Sequence, residues 1–245
     1  LYPAYEALIR DLSLGARRRV LDVGSGSGRW VRFFARYSPR RLVGVDFAEA
    51  SVALLRSKYA GPGAVSAGVS ADFRHADLTQ DSLDLGERFD LINVANVLFH
   101  IPEEDKFARA LRNIHRHLDA GGRAVTTEYL PAATMRTPWM LVRSRDAFES
   151  ACAAAGLRVV HVRGFCFFSN DPMGIDGPDD GLRERFNRVR AGVRTLLASP
   201  MNESARAFIL GLLADVERAA VDYCAQRVAP VQFPSQKLVV LERAA

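Results

Sequence analysis

The residues able to do chemistry in this chain stand in a definite order. Asp22 leads into Gly24-Ser25-Gly26-Ser27-Gly28, and acids follow at Asp46 and Asp77, then His100 and Glu128. Glycines at 24, 26 and 28 remove the Cβ atoms that would hold a ligand off the backbone. Asp46 follows them at about the spacing at which an acid meets a ribose in nucleotide-binding βαβ units. A carboxylate accepts two hydroxyl hydrogen bonds at once, which suits a vicinal diol. Capping the next helix is the other role open to Asp46, and the two are compatible.

Spacing narrows the ligand. The dinucleotide fingerprint G-x-G-x-x-G, counted from Gly24, needs glycine where Arg29 stands. Counted from Gly26 it needs glycine where Val31 stands, and the Gly-Lys-Ser/Thr of a phosphate-binding Walker loop is absent. What is written is acid-x-G-x-G-x-G, which on its own fits a ligand cradle or a tight turn.

These residues need strands and helices to place them. The apolar run Arg19–Val23 predicts a buried strand before the glycines, and a helix from about Arg29 with Val31, Phe33, Phe34 and Tyr37 inward. Such a strand–turn–helix unit aims backbone N–H groups at the carboxyl edge of a sheet, where ligands of open α/β folds bind. Before it, residues 3–14 read as an amphipathic helix, with Tyr5, Leu8, Ile9 and Leu12 on one face and Gly15 as its stop. Tyr2 and Tyr5 either pack in the core or line the cleft. Further strands are expected at Arg41–Asp46, before Asp77, and at Phe89–Val94, 123–129, 156–162 and 237–242. Helices are expected at 48–59, at 145–155 and around Phe107, Leu111, Ile114 and Leu118, the last ending at Gly121-Gly122. Residues 164–236 form an insertion with two helical patterns. Leu182, Phe186, Val189, Val193 and Leu196 make one apolar stripe, and Ala205, Phe208, Leu212, Val216 and Ala219 the other. The pair is expected to fold back as a helical cap. Its arginines suit a solvated basic face, an acidic substrate or a dimer contact.

The ordered set resembles the class I S-adenosylmethionine (SAM)-dependent methyltransferases, in their broad small-molecule branch. It comprises Val20-Leu-Asp-Val-Gly-Ser-Gly-Ser-Gly28, Asp46, Asp77-Leu78, Phe89-Asp-Leu with Val97-Leu-Phe-His-Ile-Pro102, and Leu111-Arg-Asn-Ile with Gly121-Gly122. The likeness covers about residues 19–162 and the last strand. Asn-Pro-Pro-Tyr does not follow the fourth strand, which argues against the amino-methylating DNA enzymes. The resemblance implies a single α/β domain over 1–245, with a Rossmann-like seven-stranded sheet. Its last strand should run antiparallel beside the fifth, with the helical insertion between strands six and seven. It implies that Asp22, Gly24, Ser25, Gly26 and Gly28 hold the methionine portion of SAM. Asp46, with Phe47 beside it, would take the ribose and Asp77-Leu78 the adenine, while Val94 and its neighbours meet the methionine amine through backbone. Arg29 pairs with the cofactor carboxylate or faces solvent. Residue 1 is leucine, which leaves room for a preceding helix of the kind that closes over this cofactor.

The reaction implied is in-line attack of an acceptor on the sulfonium methyl, leaving S-adenosylhomocysteine. The protein brings the nucleophile to about 3 Å in line and removes a hydroxyl proton. His100 is the candidate base, its imidazole titrating near neutral pH, with structural packing as the alternative. Glu128 orients His100, binds the acceptor or caps a loop. A hydroxyl oxygen of a small molecule is the expected acceptor, as in natural-product or glycan tailoring. Nitrogen or carbon methylation, RNA modification and SAM binding without transfer stand as alternatives.

Composition sets the outer limits. At 245 residues and 49% apolar content the chain can bury one α/β core. The net charge of +5 is dispersed, the longest basic run being Arg17-Arg18-Arg19, so a nucleic-acid partner is not expected. Cys152, Cys166 and Cys224 show no metal or disulfide spacing, which suits a reducing cytoplasm, and no metal is expected. No apolar run is long enough to span a bilayer and no signal peptide is written, so a cytoplasmic monomer or homodimer is expected.

Overall fold

The computed structural model describes residues 2–13, 19–59, 61, 65, 69–167, 180–233 and 235–244. Gly15 and most of the 171–181 loop lie outside them. The described elements begin with α1 (Tyr2–Asp11), β1 (Arg19–Val23), α2 (Arg29–Ala35), β2 (Arg41–Asp46), α3 (Glu49–Lys58) and β3 (Ser70–His75). They continue with β4 (Phe89–Val94), α4 (Glu104–His117), β5 (Leu118–Glu128), a short hairpin of β6 (Met135–Arg136) and β7 (Leu141–Val142), and α5 (Arg145–Ala154). The chain closes with β8 (Leu157–Gly164), α6 (Asp180–Ala198), α7 (Glu203–Ala225) and β9 (Lys237–Arg243).

Seven strands form one sheet in the order β3-β2-β1-β4-β5-β9-β8. Strands β1 to β5 run parallel, while β9 is antiparallel to both β5 and β8. The expected architecture is therefore present, with the last strand slotted beside the fifth. The order reverses between β1 and β4, and at such a switch point the loops leaving neighbouring carboxyl ends diverge and open a crevice.

Strict alternation builds two cores from the same strands. Leu21, Val43, Ile92, Ala124, Val239 and Leu241 face α4 and α5, burying Phe107, Leu111 and Phe148. Val20, Leu42, Leu91, Val125, Leu238 and Val240 face α1, α2 and α3, burying Tyr5, Trp30, Phe33 and Leu55. Because both faces are covered, the central strands read as unbroken apolar runs. No described helix is long and apolar enough to cross a membrane.

Three expectations need correction. Helix α4 ends at His117, and β5 begins at Leu118, so Gly121-Gly122 lies inside the strand rather than closing the helix. The β6–β7 hairpin was not foreseen, its strands being two residues each. The stripe Phe208, Leu212 and Val216 on α7 does not pack down: these side chains are 72%, 53% and 45% exposed. The helix turns Val221 inward instead, with Ile209 and Leu213 half-buried.

Candidate functional site

The glycine turn hangs from β2. Gly24 and Ser25 both donate their N–H groups to Val45 O, at 2.8 and 3.2 Å, and Ser25 Oγ donates back to Asp22 O at 2.9 Å. Gly24, Gly26 and Gly28 hold φ of +70°, +49° and +82°, a region closed to most side chains. The first two glycines serve different ends. A Cβ on Gly24 would stand 2.6 Å from Val97 Cγ2, whereas one on Gly26 would meet nothing nearer than Gly24 O at 3.9 Å. Packing demands Gly24, while Gly26 keeps open a space that a side chain would occupy.

Asp46 fastens this turn. Its Oδ2 accepts Gly26 N–H at 2.8 Å and its Oδ1 accepts Ala48 N–H at 2.9 Å. Helix α3 is preceded by Ala48 with no side-chain cap, so Asp46 clamps the turn rather than capping the helix. Each carboxylate oxygen keeps a further lone pair for a diol. Next to it, Phe47 is 74% exposed, an aromatic face left on the carboxyl edge. Asp77 closes an Asx turn, its Oδ1 accepting both the N–H and the hydroxyl of Thr79 at 2.8 Å. Leu78 is buried, and its carbonyl accepts Asn113 Nδ2 at 2.8 Å.

Asp22 lies deepest. It is wholly buried, its Oδ1 accepts Asn93 Nδ2 at 2.7 Å, and its Oδ2 has no hydrogen-bond partner. Loss of solvent outweighs the hydrogen bond from Asn93, and the carboxyl is raised to about 7. Asn93 Oδ1 accepts in turn from Tyr5 Oη at 2.8 Å. Tyr5 is packed against Trp30, Phe33 and Phe34, with ring centroids 4.7, 5.3 and 5.8 Å away. A buried polar chain thus runs from α1 through β4 to the acid of β1. An uncompensated buried carboxylate oxygen is costly, and the ammonium of SAM's amino-acid end is a group that would satisfy it. The residues present fit that cofactor.

Beyond the β1–β4 switch the edge is knotted together. Asn96, at φ +60°, donates its N–H to Thr127 Oγ1 at 2.8 Å, and its Oδ1 accepts from Thr127 Oγ1 and from Gln236 Nε2 at 3.1 and 2.7 Å. Val94 ends β4 buried, its carbonyl accepting Thr126 Oγ1 at 3.2 Å. Lys237 is fully buried and donates to the carbonyls of Tyr129 and Ser235. His100 stands exposed with Nδ1 3.2 Å from Trp139 O and its ring 4.7 Å from that of Phe99. A carbonyl only accepts, so Nδ1 carries the proton and Nε2 presents a lone pair. Glu128 is buried, raised to about 8 by desolvation, and bonded to Thr126 Oγ1 at 2.8 Å rather than to His100. Arg29 opens α2, exposed, on the side of Cys166.

The structure therefore gathers Asp22, Gly24, Ser25, Gly26, Gly28 and Asp46 into one cradle through hydrogen bonds, and sets Asp77-Leu78 after the neighbouring strand β3. His100 and Glu128 are not joined to each other. Asn93, Asn96, Thr127 and Gln236 were missed, and Tyr5 was foreseen only as a residue of the core or the cleft. Asn93 alone carried a signal, as a polar residue inside an apolar strand run.

Comparison with known proteins bears on the domain and its fold. A family model of the methyltransferase domain matches residues 20–122. A ubiquinone biosynthesis O-methyltransferase of Chelativorans sp. (strain BNC1) is 32% identical, over 57% of this chain and 58% of its own length. Residues 20–122 carry the methyltransferase domain, a span that includes the glycine turn, Asp46, Asp77 and His100. The chain spans less than two thirds of the curated relative it matches. Among solved structures, the CcbJ methyltransferase from Streptomyces caelestis superposes with a TM-score of 0.58 at 17% identity, covering 98% of this chain and 89% of that one. The sugar N-methyltransferase KedS8 from Streptoalloteichus gives 0.52 at 18% identity, covering 64% and 80%. At such identities these two establish the fold alone.

Proposed function

We propose that this chain is a SAM-dependent methyltransferase that transfers the methyl group of SAM to a hydroxyl oxygen of a small molecule. The observation that carries the reading is the buried, partnerless Oδ2 of Asp22 behind an open glycine cradle, with Asp46 and Asp77 following the next two strands in order. When bound, SAM supplies an electrophilic methyl on a sulfonium. Asp22 answers the positive amino-acid end from a desolvated position, where an opposite charge counts for more than in water. Asp46 takes the ribose diol while holding the turn. Asp77 takes the adenine amine, with Leu78 and Phe47 as apolar neighbours. Val94 and Arg29 flank the methionine end.

His100 supports the choice of oxygen. A neutral amine is already nucleophilic, whereas a hydroxyl must give up a proton as it attacks. His100 Nε2 is free to accept one because Trp139 O fixes the proton on Nδ1. Glu128, buried and raised to about 8, holds its proton at neutral pH and steadies the edge through Thr126. The Chelativorans relative is a ubiquinone biosynthesis O-methyltransferase, which agrees with this assignment. Residues 164–236 are the acceptor-side insertion of a single domain in this reading.

Calorimetry with SAM and S-adenosylhomocysteine tests the cofactor, and Asp46→Ala should abolish most of the heat. Binding untouched by that change would refute the cradle. His100→Ala should cut turnover about 100-fold with cofactor affinity unchanged, and turnover intact across the pH range would remove His100 as the base. The methylated product, analysed by NMR against hydroxylated and amine acceptors, decides the atom.

A further inference from the structure

A second cavity lies away from the glycine cradle, between α1, the end of β8, and the α6–α7 hairpin. Its volume is about 740 Å³, within the roughly 300–1,000 Å³ of small-molecule sites. Its wall combines apolar residues of α6 and α7, such as Val189, Val193 and Leu213, with basic ones: among the described residues five arginines line it against three carboxylates. Two of those carboxylates are already engaged, Glu6 with Arg36 at 2.9 Å and Glu217 with the N–H of Phe167 at 2.6 Å. Arg163, at the end of β8, pairs with Asp11 at 2.6 Å yet keeps a buried Nε with no partner. Arg190 and Arg194 stand one turn apart on α6, and both line the cavity. The end of β8 beside the cavity pairs with β9 at Gly164 and Lys237, and Lys237 pairs in turn with Glu128 at the end of β5, so the cavity lies at the sheet edge that carries Glu128.

We propose that this cavity is the acceptor chamber and that it takes a molecule with an apolar body and an anionic group, a carboxylate or a phosphate. The apolar wall of α6 and α7 receives the body, and Arg163, Arg190 and Arg194 receive the anion. Guanidinium groups suit both anions, since each presents paired oxygens to a planar fork of donors. In naming the molecule as the acceptor, this inference rests on the methyltransferase reading; the binding of an amphipathic anion does not.

The test uses the full chain loaded with S-adenosylhomocysteine and three probes of equal chain length: dodecanoate, dodecyl phosphate and dodecanol. Calorimetry should show one or both anions binding at least about tenfold more tightly than the alcohol, with the better anion naming the head group. The double variant Arg190→Gln/Arg194→Gln should bring that preference down to near unity while cofactor affinity is retained. Should the double variant fail to fold, Arg218→Gln on the α7 wall should still lower the preference severalfold. Equal binding of alcohol and anion by the wild type, or a preference unmoved by the arginine changes, would overturn the proposal. A failure to bind SAM would refute the methyltransferase reading instead and leave the probe result standing. With SAM present, hydroxylated acids should be turned over at least about tenfold more efficiently (kcat/KM) than their neutral amides. The reverse order would show that the chamber does not hold the acceptor.

Discussion

Two buried carboxyls, Asp22 and Glu128, set how this molecule answers to pH. In the unfolded chain each ionises in the ordinary carboxylate range, whereas burial holds them at about 7 and about 8 in the fold. Well below pH ~4 both states are protonated and the groups contribute nothing. As pH rises from there to the folded value, the unfolded chain has released a proton that the folded one retains. Each unit in that window then lowers stability by up to about 1.4 kcal/mol per group, and above it the cost is constant. Asp22→Asn and Glu128→Gln are therefore expected to raise Tm at about pH 8.5 and to leave it unchanged near pH ~4. Thermal unfolding at the two values checks this, and equal shifts at both would show that ionisation is not the cause. Ligand binding adds a second reading of Asp22. A cation favours the ionised form, so SAM affinity should climb with pH up to about 7, and Asp22→Asn should flatten that climb while weakening binding throughout.

The glycine turn and α1 carry the argument at the level of elements. Gly24 and Gly26 share a left-handed backbone, but their surroundings separate them. Gly24→Ala drives a Cβ into Val97 and should lower Tm by several degrees. Gly26→Ala has room, so its stability cost is the ~1 kcal/mol of a strained φ, while its methyl fills the cradle and should weaken SAM binding by more than tenfold. Equal losses of binding and stability in both variants would contradict this division. Tyr5→Phe removes the donor to Asn93 Oδ1 and leaves a buried acceptor bare, at a cost of about 1–3 kcal/mol. Because Asn93 also positions Asp22, cofactor affinity should fall in the same variant although α1 is remote in sequence. The glycine turn and the acids at strand ends were legible in the sequence because residue type and spacing alone specify them. Tyr5 was legible as an inward-facing residue of an amphipathic helix, but its bond to a residue 88 positions away is a tertiary fact with no local signature. Asp46 was legible as an acid at a strand end, yet its clamp on Gly26 appears only once β2 and the turn are set side by side.

Across the whole molecule, the same sequence rules work well in the sheet and poorly in the insertion. Between Ala124 and Leu130 every residue is buried, so apolar pattern and burial coincide. Helix α7 is apolar on more than one face, so periodicity offered two choices of inward stripe. The one containing Phe208, Leu212 and Val216 was the wrong choice, since Val221 and its neighbours turn in. Among described residues of α6 and α7 only Phe186 and Val221 are buried. The hairpin is thus held by a few anchors, namely Phe186 against Phe167, Val221, and Glu217 on the N–H of Phe167. Local opening free energy follows buried apolar contact, so amides of α6 and the first half of α7 should exchange about 100-fold faster than those of β4 and β5. The loop joining the two helices should be the first point of proteolytic cleavage. A ligand seated between the hairpin and α1 binds the closed form alone and must slow both processes in proportion to its occupancy. Hydrogen exchange with and without dodecanoate measures this directly. Protection of the hairpin equal to that of the central strands would mean that the insertion is an integral part of the core. Slow exchange appearing only with the anion would mark it as the movable wall of the chamber.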